Sequence, residues 1–71
     1  MREWKEKDYY IVYKRVNGKR VILDPESDLR FKTKKAAEKY RNKMNKKYRQ
    51  HNIDLPYNSV EFFIEKPIYL I

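Results

Sequence analysis

The sequence predicts a small α+β domain: a ββαβ unit in which one helix packs on one face of a three-stranded antiparallel sheet of order 2-1-3. Three observations carry this. Asn17-Gly18 separates two runs rich in β-branched and aromatic residues, and Asn-Gly is the preferred pair of a two-residue type I′ hairpin, whose central positions both need φ > 0. Residues 34–50 repeat their apolar side chains at helical spacing. A final run, 60–65, places Val60, Phe62 and Ile64 on one side and Glu61, Phe63 and Glu65 on the other, the alternation of a strand.

The hairpin is expected over residues 8–24. A two-residue turn sets Val16 opposite Lys19, Arg15 opposite Arg20, Lys14 opposite Val21, Tyr13 opposite Ile22 and Val12 opposite Leu23. Pro25 should stop the second strand, because proline cannot donate to a ladder. Alternation puts Tyr10, Val12, Lys14, Val16, Val21 and Leu23 on one face, expected to lie under the helix. Tyr9, Ile11, Tyr13, Arg15, Arg20 and Ile22 take the other. Residues 24–28 read as a turn, and Leu29 to Phe31 as a scrap of strand.

Thr33 is the expected N-cap of a helix running from about 34 to about 50. Ala36, Ala37, Tyr40, Met44 and Tyr48 form its apolar stripe, with Lys47 snorkelling from within it. Lys35, Glu38, Lys39, Asn42, Asn45, Lys46 and Arg49 take the opposite face. Residues 51–59, with Pro56, read as a loop. Pro67 interrupts the chain after the third strand. The tail Pro67-Ile68-Tyr69-Leu70-Ile71 is expected to complete the core, with a docking strand or homodimer surface as the other reading. Pairing the third strand with the first puts the most apolar strand in the centre. The open sheet face is either bare or covered by the Trp4 segment or the tail.

Seventy-one residues make one domain, 1–71, with a thin core. There is no cysteine, so neither a disulfide framework nor a thiolate metal site is expected. No run approaches the ~20 apolar residues of a membrane span, and the charged first residues do not resemble a signal peptide. The cytoplasm is the expected compartment, that of the host if the protein is phage-encoded.

The charge is segregated. Between Arg30 and Arg49 stand ten basic residues and one acid, net +9, whereas the remainder holds eight basic residues and nine acids, net −1. Cations spaced along one side of a helix match phosphates, and asparagine can pair with a phosphate or a base edge. Lys35, Lys39, Asn42, Lys46 and Arg49 are therefore the first candidate site. The plainer reading is a solvated face, although such faces normally mix acids and bases at i, i+4. The second candidate is the sheet face with Tyr13, Arg15 and Arg20, where aromatics beside arginines suit a stacking platform for single strands. There the plainer reading is that Glu61 and Glu65 compensate both arginines.

Catalytic signals are weak. His51 is the single histidine, near a helix end where a cation is favoured for structural reasons. Asp24, Glu26 and Asp28 alternate like a metal loop but lack the glycine and distal glutamate of an EF-hand. Gly18 is the only glycine, so no phosphate-cradling loop exists. No enzyme activity, cofactor or metal is expected. The basic helix is a poor membrane anchor, since its apolar stripe lacks Leu, Phe and Trp.

Residues 9–48 also resemble the arm-type DNA-binding domain at the N-terminus of phage and transposon tyrosine integrases. The matching residues are Tyr9-Tyr10-Ile11-Val12-Tyr13, Gly18-Lys19-Arg20 and Phe31-Lys32-Thr33-Lys34-Lys35-Ala36-Ala37-Glu38. The resemblance implies a hairpin-based sheet backed by a helix, with the sheet face entering the DNA major groove, so that Tyr13, Arg15, Arg20 and Ile22 would face DNA. The pattern departs from that family in lacking a full strand before the helix and in adding one after it. Together these signals predict a small non-enzymatic nucleic-acid-binding protein of a phage or mobile element, DNA preferred over RNA, acting as a monomer or homodimer. The alternative is a phage-encoded module that binds and modulates a host protein.

Overall fold

Strand β2 (Tyr10–Val16) is the centre of the molecule in a computed structural model that describes residues 2–71. The other elements are β1 (Trp4–Glu6), β3 (Lys19–Arg20), β4 (Leu29–Phe31), α1 (Lys34–Lys47), α2 (Arg49–Asp54), a 3-10 turn (Pro56–Asn58), β5 (Val60–Glu65) and β6 (Ile68–Leu70). β5 lies along one edge of β2, while β3 and β4 share the other, all antiparallel to β2. The central strand and its two antiparallel edges are as the sequence predicts. One edge, however, is built from two short strands, so the sheet has four.

The turn behaves as its residues dictate: Asn17 and Gly18 adopt φ of 53° and 78°, and Val16↔Lys19 and Arg15↔Arg20 pair. Two positions later the hairpin leaves the predicted register. Val21 donates its N–H to the Lys14 carbonyl at 2.9 Å, and the chain then departs from the sheet. Ile22 and Leu23 are exposed rather than opposite Tyr13 and Val12, with Leu23 left-handed at φ 59° and 98% accessible. The cause is the loop that follows. The Asp24 carboxylate accepts the Glu26 N–H at 2.8 Å, the Ser27 N–H donates to the Asp24 carbonyl, and the chain re-enters the same edge.

Ser27 makes the splice. Its buried hydroxyl accepts the Lys14 N–H at 3.0 Å and donates to the Val21 carbonyl at 2.8 Å. One side chain thus replaces the ladder bonds lost where the loop leaves. Beyond it Val12 pairs with Leu29 and Tyr10 with Phe31. The edge therefore continues in a register displaced by six residues from the Val12–Leu23 pairing the turn alone would set. Leu29–Phe31 is also the strand before the helix that the sequence pattern shows only in part.

Thr33 caps α1 as expected: it is extended (φ −122°, ψ 150°), and its hydroxyl accepts the Ala36 N–H at 3.2 Å. Ala37 and Met44 are buried, Tyr40 and Tyr48 half-buried, and they pack on Val12, Val60 and Phe62. Ala36 stays exposed. The predicted helix-facing side of β2 is therefore correct for Tyr10, Val12, Lys14 and Val16. The chain does not uncoil at Gln50. Tyr48 ends α1, and residues 49–54 form α2, which contains His51.

The helices hold the outer edge of β5 through two asparagines seven residues apart. Asn52 accepts the Val60 N–H at 2.7 Å and donates to the Val60 carbonyl at 2.8 Å. Asn45 accepts the Phe62 N–H at 2.8 Å and donates to its carbonyl at 3.4 Å. An amide side chain carries both donor and acceptor, so each closes a ring with one residue of an edge that would otherwise invite another strand. Asn45 thus turns inward, against its expected place on the outer face.

The tail does not complete the core. Pro67 interrupts the chain as predicted, but Ile68–Leu70 pairs with Trp4–Glu6 to make a separate two-stranded ribbon whose residues are all exposed. Neither segment covers the sheet. The projecting ribbon lengthens the molecule to 50 × 23 × 16 Å, with a radius of gyration of 14.0 Å, where a compact chain of this length gives about 11 Å.

Candidate nucleic-acid interface

Eight cations stand between Lys34 and Arg49. Lys35, Lys39 and Lys46, with Asn42, fall at i, i+4, i+7 and i+11 along α1, a line of about 16 Å at the helical rise. All four are exposed, as are the neighbouring Lys34 and Lys43. Arg49 is exposed at the start of α2, one residue beyond the Tyr48 break. The Arg41 guanidinium donates to the Asn42 side-chain oxygen at 3.2 and 3.3 Å.

One of the eight is neutralised. The Lys47 ammonium lies 2.7 Å from Glu26, and among the described residues none of the other seven has a carboxylate within 4.0 Å. Glu38, the one acid of the segment, is half-buried. No acid occupies the first turn of α1, where Lys34 and Lys35 sit instead. Cations there oppose the helix dipole, which favours negative charge at an N-terminus.

The sheet-face candidates do come together. Tyr13 and Phe63 stack with ring centres 5.7 Å apart at 25°. Arg20 lies 4.2 Å over the Tyr13 ring, while Arg15 lies 5.0 Å from Phe63 and 5.5 Å from Tyr13. Sequence reasoning missed Arg30, which covers Tyr9 at 4.7 Å. It pairs with Ile11, which follows only from the displaced register. Arg20 is also bound by Asp28 at 2.7 Å and Glu65 at 3.1 Å, and its pKa is raised, chiefly by the Asp28 hydrogen bond. Glu65 thus compensates one arginine; Glu61, opposite Arg15, forms no ion pair with it. The guanidinium groups occupy the ring faces a base would need. Beside them lies a shallow depression of about 90 Å³, lined by Arg15, Gly18, Ser59, Glu61 and Phe63, well under the ~300 Å³ at which small-molecule sites begin.

The acids of the 24–28 loop serve the fold. Lys14, buried beneath the helix, lies 2.9 Å from Asp24 and 3.6 Å from Glu26. Glu26 also accepts from Lys47 and, at 2.6 Å, from the Tyr48 hydroxyl. These bonds, Lys47 first, lower the Glu26 pKa, and the carboxylate in turn pushes the Tyr48 phenol up to about 12. His51 donates from Nε2 to the Asn58 carbonyl at 2.9 Å and packs edge-on against Tyr48, linking α2 to the 3-10 turn. Ser27 and Thr33 hold backbone groups. Among the described residues no group of three or more His, Cys, Asp or Glu could hold a metal ion, and no helix is long and apolar enough to cross a membrane.

No family model matches the chain, and comparisons with curated proteins and with solved structures give no match.

Proposed function

We propose that this is a small, non-enzymatic nucleic-acid-binding protein of phage or mobile-element type that contacts phosphates through the exposed face of α1, DNA being the preferred ligand. The observation that carries the reading is the run of seven cations in the α1–α2 segment that, among the described residues, have no carboxylate within 4.0 Å. On the rest of the fold Lys14, Arg20 and Lys66 each have a carboxylate within 3.2 Å, and cations without one among the described residues, such as Arg15, Lys19 and Arg30, are scattered over separate strands. On the α1–α2 segment the seven stand in one run, and Lys34 and Lys35 are set against the helix dipole. A local rule broken without internal compensation points to an external anion. A polyanion supplies it, and phosphate contacts with released counterions give the binding energy.

Helix and sheet face make opposite predictions. Lys39→Glu with Lys46→Glu should abolish binding to labelled duplex, whereas Arg15→Ala should leave it nearly unchanged. If Arg15→Ala abolishes binding and the helix pair does not, the sheet face is the interface, as the integrase resemblance implies.

A second reading is a module that binds and modulates a host protein. It is favoured by exposed aromatics such as Tyr57, 75% accessible, with the basic helix against an acidic partner. A complex with a host protein that survives nuclease treatment supports it; loss of every partner on treatment removes it.

A further inference from the structure

We infer that the outer edge of β1 is a homodimerisation edge, on which a second copy of this chain pairs antiparallel about a two-fold axis at Trp4 to give a four-stranded sheet β6-β1-β1-β6.

The ribbon is incomplete by itself. Two strands alone are marginally stable in water, and this pair makes no extensive contact with any other element. It exposes Trp4, Ile68, Tyr69, Leu70 and Ile71 to between 40% and 66%. Its hydrogen bonds fix which backbone groups are spare. Lys7 donates to the Pro67 carbonyl and Ile71 to the Glu3 carbonyl, so Glu3, Lys5 and Lys7 turn inward to β6. Alternation turns the N–H and C=O of Trp4 and Glu6 outward. In contrast to β5, whose edge Asn45 and Asn52 close, this edge has no side-chain cover among the described residues.

The occupant follows from charge. Arg2-Glu3-Trp4-Lys5-Glu6 is antisymmetric about its tryptophan. Two copies paired antiparallel about Trp4 set Arg2 opposite Glu6, Glu3 opposite Lys5 and Trp4 opposite Trp4, and each charged pair occurs twice. This register also brings the outward groups of Trp4 and Glu6 into hydrogen-bonded positions. Shifting the axis to Lys5 or Glu6 places like charges opposite each other at its centre, which is unfavourable. Glu6 already lies 3.2 Å from Lys66 on its own ribbon, so Arg2 of the second copy adds to an existing pair. Cross-strand partners share a face, so Leu70, opposite Trp4 in the ribbon, flanks the two indoles. The interface takes nothing from α1, which packs on β2, β4 and β5.

The test is a charge swap read by sedimentation equilibrium. The wild type should approach twice the 8.9 kDa chain mass as concentration rises, with a concentration-dependent blue shift of its single tryptophan. Glu3→Lys alone and Lys5→Glu alone each create like-charge pairs across the axis and should remain monomeric. Mixed in equal amounts, or combined in one chain, the two changes restore opposite charges and should restore the dimer. Circular dichroism confirms that each variant is folded. A wild type that stays monomeric at millimolar concentration overturns the inference. So do single variants that dimerise as well as the wild type, or a mixture that fails to.

Discussion

Lys47 lies 2.7 Å from Glu26, and this contact separates the cation that serves the fold from those that face outward. Glu26 also takes the Tyr48 hydroxyl and lies 3.6 Å from Lys14, so it ties the 24–28 loop to the end of α1. Lys47→Ala should lower the melting temperature slightly and leave nucleic-acid affinity almost unchanged. Lys39→Ala should do the reverse, with thermal stability unchanged and the salt dependence of binding to duplex reduced by about 0.9 in log–log slope. Thermal denaturation and a salt titration on the same two variants check both halves.

Acid should loosen the same junction. The Asp24 pKa is lowered, first by the Glu26 N–H and then by Lys14, and the Glu26 pKa by Lys47 and then Tyr48. Folded values below the ordinary 3.8 and 4.5 mean that the charged forms favour the native state. Their contribution is full above those ordinary values and disappears as pH falls through the lower folded ones. Stability should therefore be flat near neutrality and drop below about pH 4. Glu26→Gln should make that drop shallower and return the Tyr48 phenol from about 12 toward 10.0, read by phenolate absorbance.

Ser27 stands where two registers meet, so its hydroxyl has no substitute. Ser27→Ala strands the Lys14 N–H and the Val21 carbonyl, and an unmade bond to a buried group costs about 1–3 kcal/mol. Urea unfolding should show that loss. Leu23→Gly should act oppositely. Leu23 is left-handed and almost fully exposed, and relief of that conformation is worth roughly 1 kcal/mol, offset in part by glycine's greater freedom when unfolded.

Asn52→Ala removes both partners of Val60 at the sheet edge and should destabilise by about 1–3 kcal/mol. Asn52→Asp keeps the acceptor for the Val60 N–H but sets a carboxylate against its carbonyl, so it should not rescue the loss. Lost protection of the Val60 amide in hydrogen exchange would locate the effect.

Local chemistry was readable from the sequence; long-range compensation was readable only for Glu65 and Arg20. Asn17-Gly18, Thr33 and the alternation of residues 60–65 each act through near neighbours, and the turn, the cap and β5 lie where those residues place them. The second hairpin strand fails beyond Val21 because Ser27, from the loop that follows, takes the Lys14 N–H, and Leu29 takes the place opposite Val12 that the turn alone gives Leu23. Asn45 reads as one more polar residue on a polar face until the Phe62 backbone is beside it. Lys35, Lys39, Asn42, Lys46 and Arg49 were legible as an exposed basic line because helical spacing alone defines it. Tyr13, Arg15 and Arg20 were legible as a cluster, but the engagement of Arg20 by Asp28 was not, since it depends on where the displaced loop lands.

The most direct test of the basic-helix account is the affinity of the purified protein for labelled duplex DNA, measured by fluorescence anisotropy across a salt series. Binding should be tighter than the ~10⁻⁴–10⁻⁶ M of non-specific contact, with log affinity falling linearly in log salt at about −0.9 per phosphate neutralised. No binding at physiological salt, or binding that salt does not weaken, would contradict it.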